Sequence, residues 1–147
     1  MATMDDKSLF IDTNVLVYAN VIETPFHEQA LAAINAAYQA NRTIWISRQV
    51  IREYLVTMTR PQAFENLPKA TVLEQIKQFS ARFEVADDLP AVTENLLALL
   101  ANYPLGGKQV HDANIVATMQ ACGIPALLTH NTKDFERFAD LIRIERI

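Results

Sequence analysis

The chain reads as an α/β fold in three layers, with helices on both faces of a mainly parallel sheet. Three observations predict it. Short apolar or β-branched runs alternate with longer stretches of helical periodicity along the whole sequence. The runs do not alternate polar with apolar, as strands buried on both faces need not. No internal repeat, low-complexity tract or linker interrupts the 147 residues, which suit one domain over 1–147 with a sizeable core.

The first strand is Ser8 to Ile11, and it delivers Asp12 at its carboxyl end. Thr13 starts a helix to about Asn20, and Glu23-Thr24-Pro25 breaks it. Thr24 is expected to cap the next helix, with Pro25 at its first position. That helix runs to about Asn41, with Phe26, Ala30, Ile34, Ala37 and Tyr38 at helical spacing. Thr43-Ile44-Trp45-Ile46 is a second strand. Ser47 caps a helix from Arg48 to about Arg60, whose apolar stripe is Ile51, Tyr54, Leu55 and Met58; Pro61 ends it.

A loop through Pro68 leads to a helix over about Lys69–Arg82, with Val72, Ile76 and Phe79 on one face. Glu84-Val85-Ala86 is a short third strand, and Leu89 to Asn102 is helical. Pro104-Leu105-Gly106-Gly107 is a turn, since glycine tolerates backbone angles other residues avoid. A helix from about Val110 to Ala121 closes on Gly123. Pro125 to Thr129 is the fourth strand, Asn131 to Phe138 a short helix, and Leu141 to Ile144 the last strand.

Composition narrows the function. The longest apolar run, Leu96 to Ala101, falls far short of the roughly 18 residues of a membrane span. Asp5 and Asp6 stand where a secretory signal would be basic, and a lone Cys122 excludes an internal disulfide or a cysteine-built zinc site. A cytoplasmic location is expected. The formal charge of −4 and pI near 5.3 argue against a generic nucleic-acid binder, whose footprint is basic. They leave room for an enzyme that gathers carboxylates around metal ions.

Four of the 17 acidic residues stand apart by position. Asp12 follows the first strand, Glu53 lies in the helix after the second, Asp112 begins the helix before the fourth, and Asp134 sits in the turn after it. Taken singly, Asp112 and Asp134 read as helix caps and Glu53 as a solvated charge. In a parallel sheet, however, these junctions share one edge. Converging carboxylates raise one another's pKa, and a hard divalent cation with a preference for oxygen relieves them. Mg²⁺ or Mn²⁺ fits, and such ions activate water for attack on phosphorus. Thr13, Asn14, Thr129 and Asn131 flank two junctions and suit orientation of the ligands, or simple turn chemistry. His111 and His130 adjoin the acids but are expected to point elsewhere, and His27 is given no role.

Phe10-Ile11-Asp12-Thr13-Asn14-Val15-Leu16, then Glu53, then His111-Asp112-Ala113, then Leu128 to Phe135 together resemble the motif series of PIN-domain nucleases. The similarity is greatest to the VapC-type toxins of bacterial toxin–antitoxin pairs. It implies a PIN-like fold, with Asp12, Glu53, Asp112 and Asp134 as the acidic quartet holding Mg²⁺ or Mn²⁺ and Thr129 assisting. It further implies metal-dependent endoribonuclease activity, a cognate antitoxin whose tail covers the site, and a homodimer. Some relatives carry an Asp where this chain has Asn131, which leaves one or two metals open. Arg48, Arg52, Lys108 and Lys133 are the candidate RNA phosphate contacts.

Other readings compete. An Asp-dependent phosphatase needs a second acid at Asn14, and a phosphorylated receiver needs paired acids this chain lacks. A PIN-like module that binds RNA or protein without cutting also stays open. The helices over Ile51–Met58 and Val72–Phe79 are expected either to pack in the core or to meet an antitoxin helix.

Overall fold

The computed structural model describes residues 7–61 and 67–147. Asp5, Asp6 and the middle of the loop before Pro68 lie outside the described residues. Five strands form one sheet: β1 Ser8–Ile11, β2 Thr43–Ser47, β3 Glu84–Ala86, β4 Ala126–Thr129 and β5 Arg143–Arg146. Their order is β3-β2-β1-β4-β5, and every pairing is parallel. The expected "mainly parallel" sheet is therefore wholly parallel among the described residues. Six helices accompany it: α1 Thr13–Asn20, α2 His27–Gln39, α3 Arg48–Met58, α4 Lys69–Arg82, α5 Pro90–Asn102 and α6 Gln109–Cys122.

Burial follows the strand order. Every residue of β1 and β4 is buried, whereas β5 at the edge is exposed or half-buried throughout. The two central strands are thus covered on both faces, which is why they read as unbroken apolar runs. Right-handed crossovers put α1 to α4 on one face and α5 with α6 on the other. The packing agrees, since α1 meets α2 and α3, α3 meets α4, and α5 lies along α6. The chain leaves β1 in one direction to β2 and returns from β3 to β4 on its other side. That reversal makes a crevice between the carboxyl ends of β1 and β4, where open α/β sheets hold ligands.

Local chemistry explains most boundaries. Ser47 caps α3 by accepting from the Val50 amide at 3.2 Å. Gly123 ends α6 with φ of 68°, a left-handed angle that favours glycine. Tyr54, Met58, Val72 and Phe79 are buried, so the stripes of α3 and α4 named from the sequence serve the core. Val56 and Leu73, on other faces, are 58% and 48% exposed.

Four boundaries differ from expectation. Thr24 does not cap α2. Its hydroxyl donates back to the Val21 carbonyl at 2.8 Å, and the helix begins at His27. Helix α3 stops at Met58, with Thr59 as its cap; the Thr59 amide makes the last bond of the helix, to the Leu55 carbonyl, which also accepts from the Thr59 hydroxyl. The stretch after β4 is two 3₁₀ turns, Thr132–Asp134 and Glu136–Phe138, not one helix. The last strand starts at Arg143, since the amides of Leu141 and Ile142 are held in a turn on the Phe138 carbonyl.

Candidate active site

Asp12 is the hub of the crevice. It is 7% exposed, and its backbone amide is tied to Leu128 of the neighbouring β4 at 3.0 Å. Its carboxylate accepts from the Thr13 amide at 2.8 Å on Oδ1, and from the Thr129 hydroxyl at 2.8 Å and Asn14 Nδ2 at 3.3 Å on Oδ2. Those donors favour the ionised form, yet burial outweighs them and, with Glu53 and Asp134 nearby, pushes the Asp12 carboxyl up to about 6. Desolvation wins here.

Asp112, half-buried in the first turn of α6, is pushed up to about 7 by burial and by the charges of Asp12, Asp134 and Glu53; Arg137 opposes this from beyond the cleft. Mutual charge influence shows that the four carboxylates occupy one region. Asp134 is exposed in its turn and acts from the rim.

Glu53 is fixed at both oxygens. The Thr13 hydroxyl donates to Oε2 and Gln49 Nε2 to Oε1, each at 2.8 Å. Buried Gln49 also donates to the His111 carbonyl at 2.8 Å and accepts from Asn114 Nδ2 at 2.7 Å. One amide therefore links Glu53 on α3 to the start of α6, where Asp112 sits. Sequence reasoning missed Gln49 and Asn114. The available signal was spacing: Gln49 is one turn before Glu53 on α3, and Asn114 is two residues after Asp112.

The flanking polar residues divide their tasks. Asn14 Oδ1 accepts from the His130 amide at 3.2 Å, and the Thr129 hydroxyl accepts from the Asn131 amide at 3.0 Å. The ends of β1 and β4 are thereby stitched together around Asp12. The His130 ring faces away, against Phe26 at 4.1 Å between centroids and edge-on to Tyr18 at 5.4 Å. His111 lines the cleft, and His27 bonds the Tyr18 carbonyl through Nδ1 at 2.8 Å.

The cleft itself encloses about 870 Å³ between α1 and α3, within the range of ligand pockets. Asp12, Glu53 and Asp112 are among the residues that line it. Of the four candidate phosphate contacts only Arg52 lines it, and its guanidinium is paired with Asp88 at 3.0 Å. Arg48 is paired with Asp87 at 3.1 Å, while Lys108 and Lys133 are exposed outside the lining. Arg60, not foreseen, lines the cleft beyond α3.

A family model described as PIN domain matches residues 9–141. The chain belongs to the PIN domain family. Solved structures share the PIN fold over nearly its whole length. VapBC2 from Rickettsia felis, bound to a DNA fragment from its promoter, is 20% identical with a TM-score of 0.65, over 95% of this chain and 98% of that one. A toxin–antitoxin complex from Klebsiella pneumoniae is 25% identical with a TM-score of 0.60, over 87% and 90%. VapC20 from Mycobacterium tuberculosis, described as a sarcin-ricin loop cleaving toxin, is 17% identical with a TM-score of 0.60, over 81% and 86%. No curated protein matches the chain.

The PIN residues of this cleft suit a hard cation. The acids offer oxygen donors alone, two of them have raised pKa values, and among the described residues none forms an ion pair. Among the described residues no three Asp, Glu, His or Cys side chains form a ready-made cage. Ionised carboxylates keep apart in the absence of a countercharge.

Proposed function

We propose that this PIN domain is a metal-dependent endoribonuclease, the toxin of a toxin–antitoxin pair, acting in the cytoplasm as one catalytic domain. The observation that carries the reading is Asp12. A carboxylate buried at the topological switch point, where three neutral donors do not offset the burial that raises its pKa, is an unfavourable arrangement for the ionised form without a cation. Asp12, Asp112 and Glu53 would hold Mg²⁺ or Mn²⁺, with Asp134 contributing from the rim.

When bound, such an ion supplies Lewis acidity towards phosphate oxygens and lowers the pKa of water. The chain's own residues do the rest. Thr129 and Asn14 hold Asp12 in one orientation, and the Gln49 amide fixes Glu53 relative to Asp112. An antitoxin partner is supported by the toxin–antitoxin structures that share the fold, and its binding over the cleft would keep RNA out. A homodimer is part of the same reading.

Purified protein is expected to cleave RNA with Mg²⁺ or Mn²⁺ and to stop in EDTA. Asp12→Asn and Asp112→Asn should each lower the rate on the order of a hundredfold or more, the size of the few kcal/mol that metal activation supplies. Cleavage that survives either substitution at the same metal dependence would overturn the assignment.

A further inference from the structure

Asp112 and Asp134 sit on two segments that no strand pairing holds together. Asp112 lies in the first turn of α6, and Asp134 in the 3₁₀ turns after β4. Like charges converging on one site push such segments apart when no cation lies between them. The start of α6 also lacks a side-chain cap, since Lys108 makes no capping bond. What holds it lies upstream.

From Tyr103 to His111 the chain is a run of consecutive turns. The Leu105 amide bonds to the Tyr103 carbonyl at 2.9 Å, and the Gly106 amide to the Gln109 side chain at 3.1 Å. The amides of Gln109, Val110 and His111 each bond to the carbonyl three residues before. A second run leads from Asp134 to Ile142, where the amides of Phe138, Ala139 and Leu141 repeat that pattern. Phe135 and Phe138 anchor it in the core. Each run is stiff enough to carry a displacement from one end to the other.

The two runs are clasped away from the acids. The Tyr103 ring packs on Phe138 at 5.2 Å between centroids. Its hydroxyl lies 3.0 and 2.9 Å from the two carboxylate oxygens of Asp140 and shares one hydrogen between them. Beside it, Arg137 Nη1 donates to the Pro104 carbonyl at 3.4 Å. The same guanidinium is near enough to Asp112 for its charge to oppose the rise of that carboxyl. The Tyr103–Asp140 bond is exposed, so water competes for both partners and its share of global stability is small. Its effect is local.

We propose that this clasp sets the width of the acidic site and so its choice of cation: with Tyr103 bonded to Asp140, Asp112 and Asp134 are held for a small octahedral ion such as Mg²⁺ in preference to Ca²⁺. The inference rests on the metal-dependent reading of the site and deepens it by naming what selects the ion. Mg²⁺ demands near-ideal octahedral geometry with oxygens at about 2.1 Å, whereas Ca²⁺ accepts flexible arrangements at about 2.3–2.6 Å. Acids free to spread lose more of the small ion's binding than of the large one's. Neither Tyr103 nor Asp140 lines the cleft, so both are positioning residues.

The test is calorimetric titration of the full chain with Mg²⁺ and, separately, with Ca²⁺. Tyr103→Phe removes the hydroxyl and keeps the ring on Phe138. It should weaken Mg²⁺ binding roughly tenfold, as loss of a group that orients metal ligands does, and leave Ca²⁺ binding near the parent's value. Asp140→Ala should copy it. Asp140→Asn keeps an acceptor for the hydroxyl and should retain the parent's preference. Tyr38→Phe, which alters an exposed phenol on α2, is the control and should change neither affinity. Amide hydrogen exchange without metal gives a second readout. The turn amides of Val110, His111 and Ala139 should exchange faster in Tyr103→Phe but not in Asp140→Asn.

An unchanged ratio of Mg²⁺ to Ca²⁺ affinity in Tyr103→Phe, with or without a lower melting temperature, would overturn the clasp and leave the metal site in place. So would an Asp140→Asn protein as impaired as Asp140→Ala, which would make the effect one of charge. A parent that binds neither ion would remove the metal reading itself, and the selectivity with it, whatever the exchange rates show.

Discussion

Two carboxylate regions of this molecule are treated in opposite ways. Glu145 on β5 meets Arg42 through two bonds of 2.7 and 2.8 Å, and that guanidinium holds its carboxyl below the usual range. Asp12, across the sheet, meets only neutral hydrogen-bond donors and Asp112 meets none among the described residues, and burial with the neighbouring acids pushes their carboxyls up to about 6 and about 7. Both regions are partly shielded from water. The difference is that the fold supplies a cation to the structural acid and none at bonding distance to the site acids. An acid balanced from within has a structural task; on the proposed reading, the unbalanced acids are there for a cation that arrives from outside.

Opposite shifts give opposite pH behaviour, and this offers the largest effect with which to break the comparison. For Asp12 and Asp112 the folded pKa is raised, so their contribution to stability is complete below about pH 4 and is lost as pH rises through about 6 and 7. The metal-free protein should therefore melt lower at pH 8 than at pH 5, by several degrees, and the Asp12→Asn/Asp112→Asn double variant should lose most of that dependence. Glu145 works the other way, stabilising above its ordinary range and losing that as pH falls through its lowered value. Mn²⁺ should reverse the slope between pH 5 and 8, because it binds ionised ligands and releases protons. A melting curve that ignores both Mn²⁺ and the double substitution would mean that the site acids are not under charge stress.

The same contrast explains what the sequence could disclose. Strands β1 and β4 are legible because burial on both faces demands apolar runs, and the acid that ends β1 is visible as a break in one. Helix α4 and strand β3 fall at the expected residues. The edges are less legible, since β5 is exposed and its start is set by turn bonds on Phe138. Asp12, Glu53, Asp112 and Asp134 could be singled out by their junction positions. Gln49 was less legible: its spacing sets it one turn before Glu53, but its bonds to α6 exist only once the two helices are packed. Arg60 was hidden for another reason. Whether an arginine is neutralised depends on Asp87 and Asp88, which come from a distant turn.

Gln49 offers a sharper, mid-sized test. Gln49→Leu keeps the bulk but removes the link from Glu53 to the His111 carbonyl and to Asn114. Calorimetric titration should show Mn²⁺ affinity reduced by roughly 10- to 100-fold, as for other groups that orient metal ligands, with the melting temperature lowered as well. Gln49→Glu should restore the packing but not the affinity, because a carboxylate has no hydrogen to offer Glu53. Mn²⁺ affinity equal to the parent in either variant would mean that Glu53 needs no positioning from α6.

The smallest effect belongs to the balanced region. Arg42 and Glu145 retain side-chain exposures of 18% and 29%, so solvent screens much of their attraction. Arg42→Gln should cost about 1 kcal/mol of stability at neutral pH, read from denaturant unfolding, and less as pH falls through the lowered pKa of Glu145. RNA cleavage and Mn²⁺ affinity should stay at the parent's values, since neither residue lines the cleft. The outcome separates two ideas of why the site acids are unpaired. If removing Arg42 also alters Mn²⁺ binding, charge is shared across the whole sheet and the contrast between the regions dissolves. If it does not, the imbalance is local to the β1–β4 crevice, and the sheet insulates a structural ion pair from the site acids.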